Sequence, residues 1–191
     1  MARICEEAGL PAGLLSVLPG PGRVIGDAIA RHPDIGKISF TGGTSTGRQL
    51  GHIAAEKIMP ITLELGGKSP TIIFADADLD QAVAGVLYGI FSSSGQSCIA
   101  GSRVFIQRSV YDAVVERLVK GAEALRIGPG TDPSTQVGPL VAHAHRDAVA
   151  RMVEDARLAG AQILCGGAVP KEPSFRPVPF TSHHYCRCEQ L

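Results

Sequence analysis

The chain has no tryptophan, and aromatic side chains make up only 5% of its 191 residues. Its apolar content of 45% is therefore mostly aliphatic. Net charge is also missing: 18 basic side chains balance 18 acidic ones. That balance gives no electrostatic reason to expect nucleic acid or a membrane surface as a partner. No long hydrophobic run occurs; the longest weakly polar stretch, Ala82 to Phe91, is far too short to span a bilayer. Glu6 and Glu7 stand where a secretory signal needs apolar residues. The five cysteines, at 5, 98, 165, 186 and 188, are odd in number and scattered, which argues against a disulfide framework. A soluble, cytoplasmic protein of a reducing compartment is expected.

What the chain has in quantity is glycine, 23 residues, and proline, 13. That points to many turns, as in an α/β protein with frequent strand–helix junctions. The length suits one domain or two small ones. Leu14 to Leu18 is a short apolar run closed by Pro19-Gly20-Pro21-Gly22, and predicts a buried strand and a turn. Arg23 to His32 carries Val24, Ile25, Ala28 and Ile29 at helical spacing. A strand at Lys37 to Phe40, a helix over about Thr44 to Lys57 and a strand at Ile61 to Leu65 follow. Alternation of this kind with short connections predicts a parallel sheet. Further on, a strand at Pro70 to Phe74 precedes a helix over Leu79 to Phe91, capped by Asp78, with Ala82, Val83, Val86, Leu87 and Ile90 on its apolar face. A strand at Arg103 to Gln107, helices over Val110 to Leu125 and Val141 to Leu158, and a strand at Ala161 to Leu164 complete the reading.

Several short patterns invite chemistry. The turn Gly42 to Gly47 follows a strand and opens a helix, so its free N–H groups suit a pyrophosphate, with Thr44 or Ser45 adding a hydroxyl. Plain turn chemistry explains such glycines equally well. Gly20 to Gly26 imitates a dinucleotide fingerprint, but its third glycine comes one residue late. Gly66-Gly67-Lys68-Ser69 resembles the end of a P-loop, yet Thr62 stands where the first glycine is required. Asp76 and Asp78 have no third acid or histidine nearby to make a metal site, and His143 and His145, two apart on a helix, diverge around it. No metal site is expected. The proline-rich stretch from Val169 ends in His183-His184-Tyr185-Cys186-Arg187-Cys188, which reads as an irregular tail rather than a metal site lacking its remaining ligands.

Two stretches concentrate reactive groups: Thr62-Leu63-Glu64-Leu65-Gly66-Gly67-Lys68-Ser69-Pro70, and Phe91-Ser92-Ser93-Ser94-Gly95-Gln96-Ser97-Cys98-Ile99-Ala100-Gly101-Ser102-Arg103. A cysteine and a distant glutamate, each beside glycines, suit a thiolate nucleophile paired with a general base. The glycines let backbone N–H groups approach a reacting oxygen. Both stretches resemble the active-site signatures of the NAD(P)-dependent aldehyde dehydrogenase superfamily. Glu7-Ala8-Gly9-Leu10-Pro11, Phe40-Thr41-Gly42, Asp76-Ala77-Asp78-Leu79, Val137-Gly138-Pro139-Leu140 and Gly160-Ala161 also sit in the family's order, and the likeness runs from about Ala8 to Gly167.

The resemblance implies a partial fold: the C-terminal half of a Rossmann-like cofactor domain over 1–66, the first half of an α/β catalytic domain over 67–168, and a non-family tail over 169–191. It implies oxidation of an aldehyde to a carboxylic acid with NAD or NADP. Cys98 would be the nucleophile and Glu64 the base that activates water. The cofactor would meet Gly42, Gly43, Thr44 and Gly47 with its pyrophosphate, and Leu65 and Gly66 with its nicotinamide end. Gly43 departs from the serine common at that position. The family's remaining parts include a ribose-binding lysine, the asparagine that completes the oxyanion hole, and an oligomerisation strand. The family forms homo-oligomers, but that strand is absent from this sequence, and the chain contains no asparagine at all. The rival expectation is a non-catalytic truncated product, frameshifted or partial, with at most an interaction role. A half-built sheet predicts an open edge, uncovered apolar helix faces, and poor stability or association.

Overall fold

The computed structural model describes residues 1–168; the stretch expected to be an irregular tail, with its His183 to Cys188 cluster, lies outside the described residues. The chain forms two compact units, Met1–Leu65 and the residues from Gly66 onward.

The first unit begins with α1 (Ala2–Glu7) and continues with α2 (Gly22–Arg31), β1 (Ile38–Gly42), α3 (Thr44–Glu56) and β2 (Ile61–Leu65). β1 and β2 pair in parallel, with Ile38 opposite Ile61, Phe40 opposite Leu63 and Gly42 opposite Leu65. Strand side chains alternate between faces, so this register lines the apolar residues up on one side. Ile38, Phe40 and Ile61 pack against Ala30 of α2 and against Leu50 and Ile53 of α3. α3 buries Gly47, Leu50, Ile53 and Ala54, a helical face drawn from an otherwise polar sequence. Lys57 binds the unit together: its ammonium donates to the carbonyls of Ala30, His32 and Ile35, at the C-terminal end of α2 and in the connection to β1. There the cation meets orphan helix carbonyls and the negative end of the dipole.

One expectation fails in this unit. Leu14 to Leu18 is not a strand, and Leu14, Val17 and Leu18 are exposed. An apolar run becomes a strand only when a neighbour accepts its hydrogen bonds, and β1 and β2 pair only with each other. α2 is a helix as predicted, but Val24 and Ile29 on its apolar face are exposed.

The second unit contains β3 (Pro70–Ile73), α4 (Leu79–Phe91), β4 (Arg103–Ile106), α5 (Tyr111–Glu123) and α6 (His143–Leu158). β3 and β4 are parallel, with Pro70 opposite Arg103 and Ile73 opposite Ile106. Their inner face and the two helices after them build the larger core, from Ile73, Val83, Val86, Ile106, Val114 and Leu118. Asp78 caps α4, its carboxylate accepting from the backbone N–H groups of Asp80 and Gln81 at 3.1 Å each. Ala161 to Leu164, expected as a strand, is irregular, because no neighbouring strand takes up its ladder. The loop from Arg126 to Gly138 is held by a bridge between Ile127 and Val137 and by Asp132, whose carboxylate accepts from the Ser134 N–H at 2.8 Å. That bond holds the Asp132 carboxyl below its usual range. Among the described residues, no helix is long and apolar enough to cross a membrane.

Candidate active site

In the first unit the expected cofactor residues gather at the C-terminal end of the strand pair. Gly42 ends β1 opposite Leu65, and Gly43 is the N-cap of α3, with extended backbone and no side-chain cap. The first turn of α3 carries no acidic residue. Its leading N–H groups and the positive end of its dipole are therefore not answered by a carboxylate of this helix. Gly47 fits close packing: a Cβ there would lie 2.7 Å from the Leu65 side chain. That contact presses the first turn of α3 onto the end of β2. At Gly43 nothing lies within 4 Å of where a Cβ would stand, and its φ of −72° is open to any residue. A serine would fit there, so glycine is not required by the backbone. Glu64 pairs with Thr41, and the alternation that turns Leu63 and Leu65 toward the helices turns Glu64 to the other face, where it is exposed. Its carboxylate is open to water.

In the second unit Cys98 is an exposed free thiol in the connection from α4 to β4. Because β3 and β4 run in parallel, the segment before β4 lies beside the segment before β3. Gly67 shows how closely: a Cβ there would come 2.8 Å from the carbonyl oxygen of Cys98. Backbone yields far less readily than a side-chain tip, so this position must be glycine for the Cys98 segment to keep its path. Gly101 likewise fits beneath Thr71, whose hydroxyl would stand 2.5 Å from an added Cβ. The Arg103 guanidinium donates to the Lys68 carbonyl at 2.9 Å and lies over the Phe105 ring. Lys68 and Arg103 thus place two cations at this end of the strand pair.

The approach to Cys98 is an unusual backbone. Ser93 and Ser94 have φ of 54° and 55°, and Gly95 has 72°, a left-handed turn in which only the last residue is glycine. Each serine there costs about 1–2 kcal/mol relative to a right-handed conformation. Three bonds oppose that cost. The Ser94 hydroxyl donates to the Gly138 carbonyl at 3.0 Å, and the Gln96 N–H and side-chain amide donate to the Ser93 carbonyl at 3.1 and 3.4 Å. The sequence marks Gly67 only as one of the glycines beside Glu64 and gives Ser94 no distinguishing feature. The glycine doublet before a strand was a visible cue for the first; a serine at positive φ leaves none for the second.

Glu64 lies in the first unit and Cys98 in the second. Gly66 opens the second unit, with nothing within 4 Å of its Cβ position. Cys165 differs from Cys98 in kind. It is partly buried after α6, and burial together with the Glu123 carboxylate pushes its thiol above the ordinary value of 9.0, which disfavours the thiolate. Among the described residues no group of three or more His, Cys, Asp or Glu side chains is placed to hold a metal ion.

Comparison with known proteins supplies the frame for these two stretches. Residues 1–181 match the aldehyde dehydrogenase family, a range that passes beyond the Gly167 limit read from the sequence. The betaine aldehyde dehydrogenase of Sinorhizobium fredii is 45% identical over 170 residues, covering 89% of this chain and 35% of that protein. The human 4-trimethylaminobutyraldehyde dehydrogenase is 42% identical over 178 residues, 92% of this chain and 36% of that protein. Among solved structures, the NAD+ complex of the Bacillus cereus aldehyde dehydrogenase superposes with a TM-score of 0.89 at 42% identity, covering 94% of this chain and 36% of that one. The chain thus spans about 35% of the length of these relatives. Both its sequence and its partial α/β fold place it plainly: the chain belongs to the aldehyde dehydrogenase family.

Proposed function

We propose that this chain carries the thiol, the carboxylate and the pyrophosphate-binding turn of an NAD(P)-dependent aldehyde oxidation. The observation that carries this reading is the Cys98 segment. A free, exposed thiol sits on a backbone held from both sides, by the Gly67 contact and by the left-handed turn before it. The Cys98 thiolate adds to the aldehyde carbon, forming a C–S bond and sending the carbonyl electron pair to oxygen. The Cys98 N–H donates to that oxyanion. Bound NAD or NADP supplies the hydride acceptor, and loss of hydride from the former aldehyde carbon leaves a thioester. Glu64 takes the proton of the water that attacks the thioester, and cleavage of the C–S bond releases the carboxylic acid and restores the thiolate.

The α3 N-terminus supports the cofactor assignment. Thr44 and the first-turn amides carry no capping carboxylate, Gly43 leaves the approach free of a side chain, and Gly42 and Gly47 pack closely against Phe40 and Leu65 behind it. Leu65 and Gly66 follow at the nicotinamide end in this reading. Residues 1–66 then belong to the cofactor-binding half and 67–168 to the catalytic half, in a cytoplasmic protein.

Absorbance of reduced cofactor on mixing the chain with an aldehyde and NAD+ or NADP+ tests the reading. Formation that Cys98→Ser abolishes supports it. Glu64→Gln is expected to leave the first hydride transfer and slow turnover by roughly 10²-fold or more, as loss of a general base does. No reduced cofactor under any condition favours the rival, a non-catalytic chain with at most an interaction role.

A further inference from the structure

We infer that Ser94 is a positioning residue for Cys98, acting through its hydrogen bond to the Gly138 carbonyl. The inference rests on the nucleophile reading of Cys98 and concerns what fixes the path of that segment.

The bond joins residues 44 positions apart, at a partly buried site. Its two ends differ in character. Gly138 follows Val137, which is almost wholly buried, and precedes Leu140, which is buried as well. The loop that carries it is closed by the Gly128 N–H donating to the Val137 carbonyl at 3.1 Å and by the Gln136 and Val137 N–H groups donating to the Arg126 carbonyl. That end is an anchor. The other end is the left-handed turn at Ser93, Ser94 and Gly95, a conformation that two of its three residues resist. Ser94 also lies three residues before Ser97, whose carbonyl accepts from the Ala100 N–H, so Cys98 sits inside the next turn of the same connection. A backbone held against its own preference persists only when its surroundings over-determine it. The Ser94 hydroxyl is the side-chain contact that reaches from the turn to the buried loop.

Removing the donor is therefore expected to let the turn relax and to displace the Cys98 N–H, without changing the exposure of the thiol. Two replacements separate donor from backbone. Asparagine and aspartate both tolerate positive φ, but only the Asn side chain can donate to a carbonyl. In the full 191-residue chain, a trifluoromethyl ketone serves as the probe. The thiolate adds reversibly to its carbonyl, forming a C–S bond and an alkoxide that takes up a proton, and the adduct has its own ¹⁹F resonance.

The wild type is expected to form an adduct that Cys98→Ser lacks. Ser94→Asp and Ser94→Ala are expected to weaken it on the order of tenfold, and Ser94→Asn to restore it to within about threefold. Alkylation of Cys98 by iodoacetamide, which needs no oxyanion donor, is expected to be equal in the wild type and the Ser94 variants. Amide exchange over α5 reports whether each variant is folded. Equal adduct stability in Ser94→Asp, Ser94→Asn and the wild type overturns the role of Ser94 alone. An absent adduct in the wild type overturns the nucleophile reading and this inference with it. Should Ser94→Ala and Ser94→Asp lose α5 protection, a comparison of Ser94→Asn with Ser94→Gly decides. Glycine accepts the turn without a donor, so adducts of equal strength in these two overturn the inference.

Discussion

The two units are built to the same plan, a parallel strand pair with helices on one face, but they close to different degrees. The second unit buries a continuous core in which Ile106 and Val114 are almost wholly removed from water, at 1% and 0% exposure. The first has a smaller core cluster, Ala30, Leu50 and Ile53, between its helices and strands, and leaves Leu14, Val17 and Leu18 in solvent. The difference follows from what each strand pair is given to cover it. β3 and β4 are followed by α4 and α5, both amphipathic, whose apolar faces meet over Ile73 and Ile106. β1 and β2 receive the inner faces of α2 and α3, while the aliphatic run before α2 finds no strand to join. A parallel pair needs cover to be stable, and aliphatic residues without a partner remain a liability rather than a core.

The largest expected break in this comparison comes from the second core. Ile106→Ala removes a side chain from its centre and is expected to cost about 2–5 kcal/mol, measured by chemical denaturation. The same methods applied to Leu18→Ser are expected to show no loss of stability beyond about 0.5 kcal/mol and less light scattering. A large loss there would mean that the Leu14 to Leu18 run is packed.

Next in size is Gly67→Ala, which forces the backbone of the Cys98 segment aside because the added methyl would stand 2.8 Å from the Cys98 carbonyl. A cost of about 1–3 kcal/mol is expected, together with altered amide exchange from Ser97 to Gly101. Gly43→Ser is the control, expected to be near neutral because its Cβ site is open. Smaller again is Asp78→Ala, which removes the α4 cap at about 1 kcal/mol and should lower protection in the first turn of that helix.

A change of opposite sign is expected at Ile58. This residue is 93% exposed and holds a φ of 50°, a poor conformation for a β-branched side chain. Ile58→Gly should stabilise the first unit by about 1 kcal/mol, raising its midpoint and leaving the second unit's unchanged. The smallest effect concerns Cys165. Its raised pKa means that the fold favours the protonated thiol. That contribution is present below the ordinary value of 9.0 and is lost as pH rises through the raised one. Alkylation of Cys165 should therefore rise at higher pH than that of a small-molecule thiol, and Glu123→Gln should bring the two closer.

Sequence pattern revealed what depends on neighbours along the chain. The strand at Ile61 to Leu65, the Asp78 cap and the apolar face of α4 are local, and each lies where its spacing indicates. Leu14 to Leu18 and Ala161 to Leu164 have strand composition, but a ladder needs a partner from elsewhere, which composition does not reveal. The site divides in the same way. Glu64 and Cys98 stood out by their motifs, whereas the geometry around Cys98 did not. The Gly67 contact depends on two strands running side by side, and the Ser94 bond spans 44 residues from a serine whose backbone conformation its type does not suggest.

The most direct test of the account maps where an aldehyde-like electrophile reacts among the five cysteines, by mass spectrometry, with and without NAD+. Selective reaction at Cys98, faster with NAD+ present, is expected, while partly buried Cys165 reacts slowly. Equal labelling of all the cysteines, unchanged by NAD+, would contradict it and would identify a loose chain without a formed site.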